Sequence, residues 1–170
     1  MQDTSLIIQK FSNDKTNEFW EMLDSFSFHI DIDYYERCIE RHKNGELDII
    51  IAKLESINIG YCLLNWQPKY AYFKKCSIPE IQDLNVLSEY RRRGVGRALI
   101  KHCEKLCKNF TEIGIGVGMD SSFGAAQRLY VAMGYIPDGA GINYDRKPIA
   151  KGEFRPIDEN LSLMMTKMLI

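Results

Sequence analysis

The residues of this 170-residue chain best suited to chemistry run from Leu84 to Gly96, Leu84-Asn85-Val86-Leu87-Ser88-Glu89-Tyr90-Arg91-Arg92-Arg93-Gly94-Val95-Gly96. An apolar run passes into a short loop, and two glycines one residue apart then open an amphipathic stretch. Glycine tolerates positive φ and lets a ligand approach the backbone closely, and the first turn of a helix has N–H groups without an intrahelical acceptor. Those N–H groups and the helix dipole suit phosphate oxygens. Arg91, Arg92 and Arg93 stand where their charge opposes the dipole, an arrangement that makes sense if an anion sits there. Other glycine motifs do not fit. A dinucleotide fingerprint needs a third glycine where Leu99 stands; Gly114-x-Gly116-x-Gly118 has Met119 in the corresponding place, and no GxxxxGK[ST] run occurs.

Charge points to the same stretch. The formal net charge is −1, but residues 91–110 carry seven basic groups and one acidic group, whereas residues 1–90 carry nine basic and fifteen acidic. Arg97, Lys101, Lys105 and Lys108 extend the positive block along a helix. Apolar residues at 45% and charged residues at 26% exclude a disordered or fibrous chain. No apolar run approaches the roughly 20 residues of a membrane span. The N-terminal MQDTSLIIQKFSNDK lacks a basic start and a long apolar core, and five cysteines form no disulfide framework. The expectation is a cytoplasmic protein without a membrane partner.

The elements that must position this segment follow from periodicity. Residues 5–11 form a first strand. Asn13 or Asp14 caps a helix to about residue 27, with Phe19, Met22, Leu23 and Phe26 on one face. A charged helix covers 33–43 and closes at Asn44-Gly45. Strands at 48–54 and 58–66 flank a turn at 55–57. Residues 67–79 form an aromatic, basic connection, and 80–87 a further strand. The helix over 94–110 has an apolar stripe of Val95, Leu99, Cys103, Leu106, Cys107 and Phe110. A strand at 111–117, a helix at 123–133 and a strand at 160–169 complete the order. Strand, helix and strand around 80–117 imply a crossover with a parallel pair, so the class is α/β in one domain over 1–170.

Two motifs carry a family resemblance. Arg91-x-x-Gly94-x-Gly96 resembles the (Gln/Arg)-x-x-Gly-x-(Gly/Ala) signature of the GNAT superfamily of acyl-CoA-dependent N-acyltransferases. Ala126-x-x-Leu129-Tyr130-x-x-x-Gly134-Tyr135 is similar to that superfamily's downstream A-x-x-L-Y-x-x-x-G-(F/Y) segment. The resemblance implies a single mixed, mostly antiparallel sheet flanked by helices, with a splayed parallel strand pair at the cofactor site. It implies acetyl-CoA as acyl donor, with the pyrophosphate on backbone N–H groups of Arg91, Arg92, Arg93, Gly94, Val95 and Gly96. Arg97 belongs to a solvated helix face that also meets the nucleotide's 3′-phosphate.

The pantetheine arm would pair with Leu84, Asn85 and Val86, and the Leu84 N–H would polarise the thioester carbonyl. Catalysis is then mainly juxtaposition of an amine and a thioester in one ternary complex. Tyr130, with a reference phenol pKa of ~10, would protonate the departing thiolate, and Glu80 is preferred over Asp83 as general base. The family often has Asn three residues before the motif alanine. Phe123 stands there in this chain, so either Ser121 or Ser122 replaces the polar contact or the contact is lost.

Other signals are weaker. Cys103 and Cys107 fall on an apolar stripe, and His29, His42 and His102 are scattered, so no metal is expected. Tyr61, Trp66, Tyr70, Tyr72 and Phe73, with Lys69, Lys74 and Lys75 interleaved, could stack bases or line an acceptor pocket, though a loop packing on the sheet is the preferred reading. Residues 139–159, with Asp145, Arg146, Lys147 and Arg155, are long and irregular enough to be a substrate-side loop, although such charge usually serves solvation. The leading expectation is an N-acetyltransferase acting on a primary amine of a small molecule or protein, with a homodimer possible. The alternatives are a non-catalytic acyl-CoA-binding or sensing module and a tRNA-directed acetylating toxin. The local character of the positive block argues against a nucleic-acid partner.

Overall fold

A computed structural model describes residues 5–169; residues 1–4, the start of the N-terminal stretch read above, and Ile170 lie outside the described residues. The elements in chain order are β1 (Leu6–Lys10), α1 (Thr16–Asp24), α2 (Ile32–Lys43), β2 (Leu47–Leu54), β3 (Ile57–Asn65), α3 (Ala71–Cys76), β4 (Glu80–Val86), α4 (Val95–Leu106), β5 (Glu112–Gly118), α5 (Gly124–Ala132), β6 (Ile136–Tyr144), β7 (Lys147–Pro148) and β8 (Leu161–Met168). The strands form one mixed sheet in the order β1-β2-β3-β4-β5-β8-β6-β7. It is mostly antiparallel, with β4 and β5 parallel, as expected.

The chain packs as two compact units, one of residues up to Trp66 with Gln82–Leu106, the other of Gln67–Ile81 with the chain from Cys107 onward. β4 contributes Glu80 and Ile81 to the second and the rest to the first.

In the first unit, the alternation of β2 and β3 divides two layers. Leu47, Ile49, Ile51, Tyr61 and Leu63 pack with Phe11, Phe19, Met22, Leu23, Tyr35, Cys38 and Ile39, which come mainly from α1 and α2. The aromatics meet edge-on, Phe19 and Tyr61 at 5.7 Å and 90°. The alternate residue Cys62 turns to α4, where its Sγ lies 3.5 Å from Cys103 Sγ. Val95, Leu99, Ile100 and Cys103 are the buried face of α4. Leu106, placed on the apolar stripe by periodicity, is 40% exposed, and Ile100 is buried in its stead. α2 is capped by Asp31, whose carboxylate accepts from the Tyr34 N–H. Before α1 the chain makes a single tight turn at Asn13–Lys15, so neither Asn13 nor Asp14 caps it.

In the second unit, β8 pairs with β5 along its whole length, from Glu112↔Met168 to Gly118↔Ser162. Two expectations fail here. The connection 67–79 contains α3, which buries Phe73. The supposed loop at 139–159 contains most of β6 and all of β7, which pair at Asn143↔Pro148 and Tyr144↔Lys147. Gly139 and Gly141, both at positive φ, interrupt the β6–β8 register between Pro137 and Ile142, which hides the strand's period-two pattern.

Candidate active site

The segment from β4 to α4 belongs to the first unit from Gln82 onward. Asp83 has φ +49°, a left-handed residue inside a strand, so strict period-two alternation breaks there. Asp83 Oδ2 accepts the Tyr34 hydroxyl of α2 at 2.6 Å. Burial and the Asp83 charge push the Tyr34 phenol far above its ordinary pKa, so it stays a neutral donor. The Asn85 side-chain amide donates to the Tyr61 hydroxyl at 3.2 Å, and Tyr61 and Tyr35 share a 2.5 Å hydrogen bond. Burial raises the Tyr35 phenol to about 12. A polar network of α2 and β3 thus supports the strand at 83–85, and no motif or periodicity marks Tyr34 as part of it. Leu84, Asn85 and Val86 are half-buried. A Cβ on Gly60 of β3 would lie 2.8 Å from Asn85 O, so glycine there permits the close approach of β4.

After β4, Arg91 Nε donates to Val86 O at 3.0 Å and pins the loop to the strand. Arg92 at φ +63° and Gly94 at φ +83° turn the chain into α4. The Ala98 N–H donates to Gly94 O at 3.0 Å, which starts the helical ladder. The amides of Val95, Gly96 and Arg97 precede it and, as at any helix start, have no intrahelical acceptor. Arg91, Arg92, Arg93 and Arg97 are exposed, and none of them forms an ion pair among the described residues. Arg93 lies over the Tyr90 ring at 5.6 Å. Unneutralised guanidinium groups beside helix-start amides are an arrangement that suits a polyanion.

In the second unit, the parallel register of β4 and β5 covers only Glu80↔Gly114 and Ile81↔Ile115, although each strand has seven residues. Glu80 is 1% exposed, and both its oxygens accept from Arg146 Nη1, at 2.6 and 2.8 Å. Arg146 lies in the turn between β6 and β7; the misread loop concealed it as a partner. Tyr130 is buried on α5, its ring 6.3 Å from Tyr135, and its carbonyl accepts the N–H groups of Met133 and Tyr135. Ser122 is exposed on the turn before α5, with its N–H held by Asp120 Oδ1 at 2.7 Å. Phe123 packs on Gly118 of β5, where a Cβ would lie 2.3 Å from its ring. The Tyr70 hydroxyl donates to Asp138 Oδ2 at 2.7 Å, and burial raises that phenol to about 12.

The aromatic segment does not form a stacking platform. Tyr61, Tyr70 and Phe73 are buried core residues, which removes the observation behind a base-binding surface. Cys103 and Cys107 are both buried, and no group of three or more His, Cys, Asp or Glu among the described residues could hold a metal ion. No helix among them is long and apolar enough to cross a membrane.

Known proteins share this architecture. The yncA protein of Salmonella typhimurium, solved with its cofactor acetyl-CoA, is 13% identical with a TM-score of 0.67, over 98% of this chain and 95% of that one. The Escherichia coli ribosomal-protein-S18-alanine N-acetyltransferase is 14% identical with a TM-score of 0.67, over 97% and 94%. A GNAT-family acetyltransferase from Staphylococcus aureus is 18% identical with a TM-score of 0.65, over 98% and 100%. At such identities the likeness is one of fold. Among curated proteins, none matches the chain in sequence. The family model described as Acetyltransferase (GNAT) family matches residues 12–135, a stretch that holds both motifs. The chain belongs to the GNAT acetyltransferase family.

Proposed function

We propose that this protein is an acetyl-CoA-dependent N-acetyltransferase that joins the acetyl group to a primary amine by direct attack in a ternary complex. The observation that carries the reading is the start of α4, where the amides of Val95, Gly96 and Arg97 follow three exposed arginines in a chain of the acetyltransferase family. These groups fit the pyrophosphate of the donor, and Arg97 is available to its 3′-phosphate. The family match runs through stretches of both compact units, which supports treating 1–170 as one functional domain.

Roles follow for the individual residues. The Leu84 N–H polarises the thioester carbonyl, and Asn85 and Val86 hold the pantetheine arm by strand-like pairing. The amine nitrogen attacks the carbonyl carbon, the C–S bond breaks, and Tyr130 gives its phenolic proton to the thiolate. Ser122 supplies a polar contact to the donor, because Phe123 is committed to Gly118. The amine must lose a proton, and two carboxylates on β4 can take it. Glu80 is the candidate from the resemblance, yet both its oxygens are engaged by the Arg146 guanidinium. Asp83, which accepts the neutral Tyr34 phenol, is the alternative.

The test is a thiol-release assay over a panel of amines, with mass spectrometry of the product and calorimetric titration with acetyl-CoA. Turnover on an amine with formation of an amide product supports the reading. Tight acetyl-CoA binding without turnover on any amine would instead make the chain a binding or sensing module.

A further inference from the structure

The turn between β6 and β7 consists of Asp145 and Arg146, both left-handed at φ +48° and +60°. Two-residue hairpin turns of this kind are usually Asn-Gly or Asp-Gly, because glycine takes the second position without steric cost. An arginine there is retained at a conformational cost, which its side chain must offset. That side chain reaches Glu80, and it does so through one nitrogen: Nη1 donates to Oε1 at 2.6 Å and to Oε2 at 2.8 Å. A guanidinium has five N–H donors in one plane. The two on Nη1 are engaged. The Nε–H and the two on Nη2 have no hydrogen-bond partner among the described residues, and the Arg146 side chain is 36% exposed while Glu80 is 1% exposed.

The unused edge, Nε with Nη2, is one of the two forks that match the oxygens of a carboxylate bidentately. Glu80 holds the plane of the guanidinium and cancels its charge, so the pair orients a ligand without acting as a bare cationic trap. A polyphosphate gains little from a pair of net zero charge. A polycationic amine gains less, since it would face N–H donors and no free acceptor. A zwitterion with a carboxylate beside its amine suits both the geometry and the charge.

We propose that the Nε–Nη2 edge of Arg146 binds a carboxylate of the acceptor, and that the acceptor is therefore an α-amino acid or a close analogue. The inference rests on the reading of the chain as an amine acetyltransferase. Glu80 serves here as the positioning residue for Arg146.

The experiment compares the wild type with Arg146→Lys, which keeps a positive charge beside Glu80 and removes the planar fork. Acetylation is measured for a panel of L-α-amino acids and for their carboxamides. Calorimetry on the CoA-saturated protein follows the binding of N-acetyl-amino acids and of their amides. The wild type is expected to favour carboxylate over carboxamide by at least roughly tenfold in both kcat/KM and Kd. R146K should lose that preference while its acetyl-CoA Kd and Tm stay unchanged. Equal use of acids and amides by the wild type, or an equal loss for both in R146K, overturns the proposal. Weakened acetyl-CoA binding in R146K also overturns it, by giving the fork to the donor's phosphates. If no amine turns over but N-acetyl-amino acids bind with the carboxylate preference, the site stands and the enzymatic reading fails. If amides and simple amines turn over while acids do not, the enzymatic reading stands and the site fails.

Discussion

The Phe73 ring occupies the space that a side chain at residue 114 would fill: a Cβ on Gly114 would lie 2.2 Å from Phe73 Cε2 and 2.5 Å from Cζ. The other two glycines of the alternating run on β5 are covered in the same way, Gly116 by the Met164 sulfur and Gly118 by the Phe123 ring. Gly114-x-Gly116-x-Gly118 is thus a packing groove on one face of a strand, whose intervening residues Ile115 and Val117 are buried. Gly114→Ala should force the ring to shift, at a cost of about 1–3 kcal/mol typical of overpacked cores. Urea denaturation would measure it, and adding Phe73→Leu should recover part of the loss. An unchanged midpoint for Gly114→Ala would contradict the groove.

At the other glycine pair the reason for glycine differs. A Cβ on Gly94 would meet nothing within 4 Å, so its requirement is the left-handed φ of +83° and not space. Gly96 follows on the first turn of α4, where the proposed phosphate oxygens come to the backbone. Gly96→Val should weaken acetyl-CoA binding by about tenfold or more, the scale of losing one or two charge-assisted hydrogen bonds. Isothermal titration would read it, with the melting temperature as control for folding. Unaltered affinity would remove the phosphate cradle from this segment.

Tyr130 is 5% exposed on α5. Tyr130→Phe keeps the ring volume and deletes the proton. Loss of a general acid typically lowers turnover by about 10²–10⁴-fold. The acetyl-CoA Kd should change far less than kcat. A kcat equal to that of the wild type would show that another group, or water, protonates the thiolate.

What the sequence displayed and what it hid have separate physical causes. Positions 94–106 were legible because an amphipathic helix writes its period into the chain, and the start signal Arg91-x-x-Gly94-x-Gly96 is local. β2 and β3 were equally plain, their ends off by one residue at most. β6 was lost because Gly139 and Gly141 break the alternation at a bulge in its pairing with β8. With it went the β6–β7 turn and Arg146, a partner 66 positions from Glu80. The Tyr34–Asp83 contact spans 49 positions and was hidden for the same reason. Single side chains that meet across the fold leave no periodic trace.

The pairings of the β4 carboxylates separate two candidate bases. Glu80 is held by Arg146, and Asp83 by Tyr34, a neutral phenol. A base that must be ionised to act gives an acidic limb to the pH profile of kcat/KM. Asp83→Asn should lower that parameter by about 10²-fold or more and flatten the limb. Glu80→Gln should leave the limb in place and act mainly through KM, because it releases Arg146 without deleting the base. The reverse pattern would return the role to Glu80.

A pH effect on stability comes from α4. Burial, with Lys105 close by, holds the His102 pKa below its ordinary value. The unfolded chain, with an imidazole pKa of about 6.5, binds the proton more readily than the folded one. Folding is therefore unpenalised by this group above the unfolded pKa. It becomes less favourable as pH falls through that value toward the lowered folded one, below which the loss is complete. His102→Gln, which carries no proton to lose or gain, should narrow the fall in Tm between pH 7.5 and pH 5. Thermal melts of both proteins at a series of pH values would read the difference; an identical fall in the two would place the acid sensitivity elsewhere.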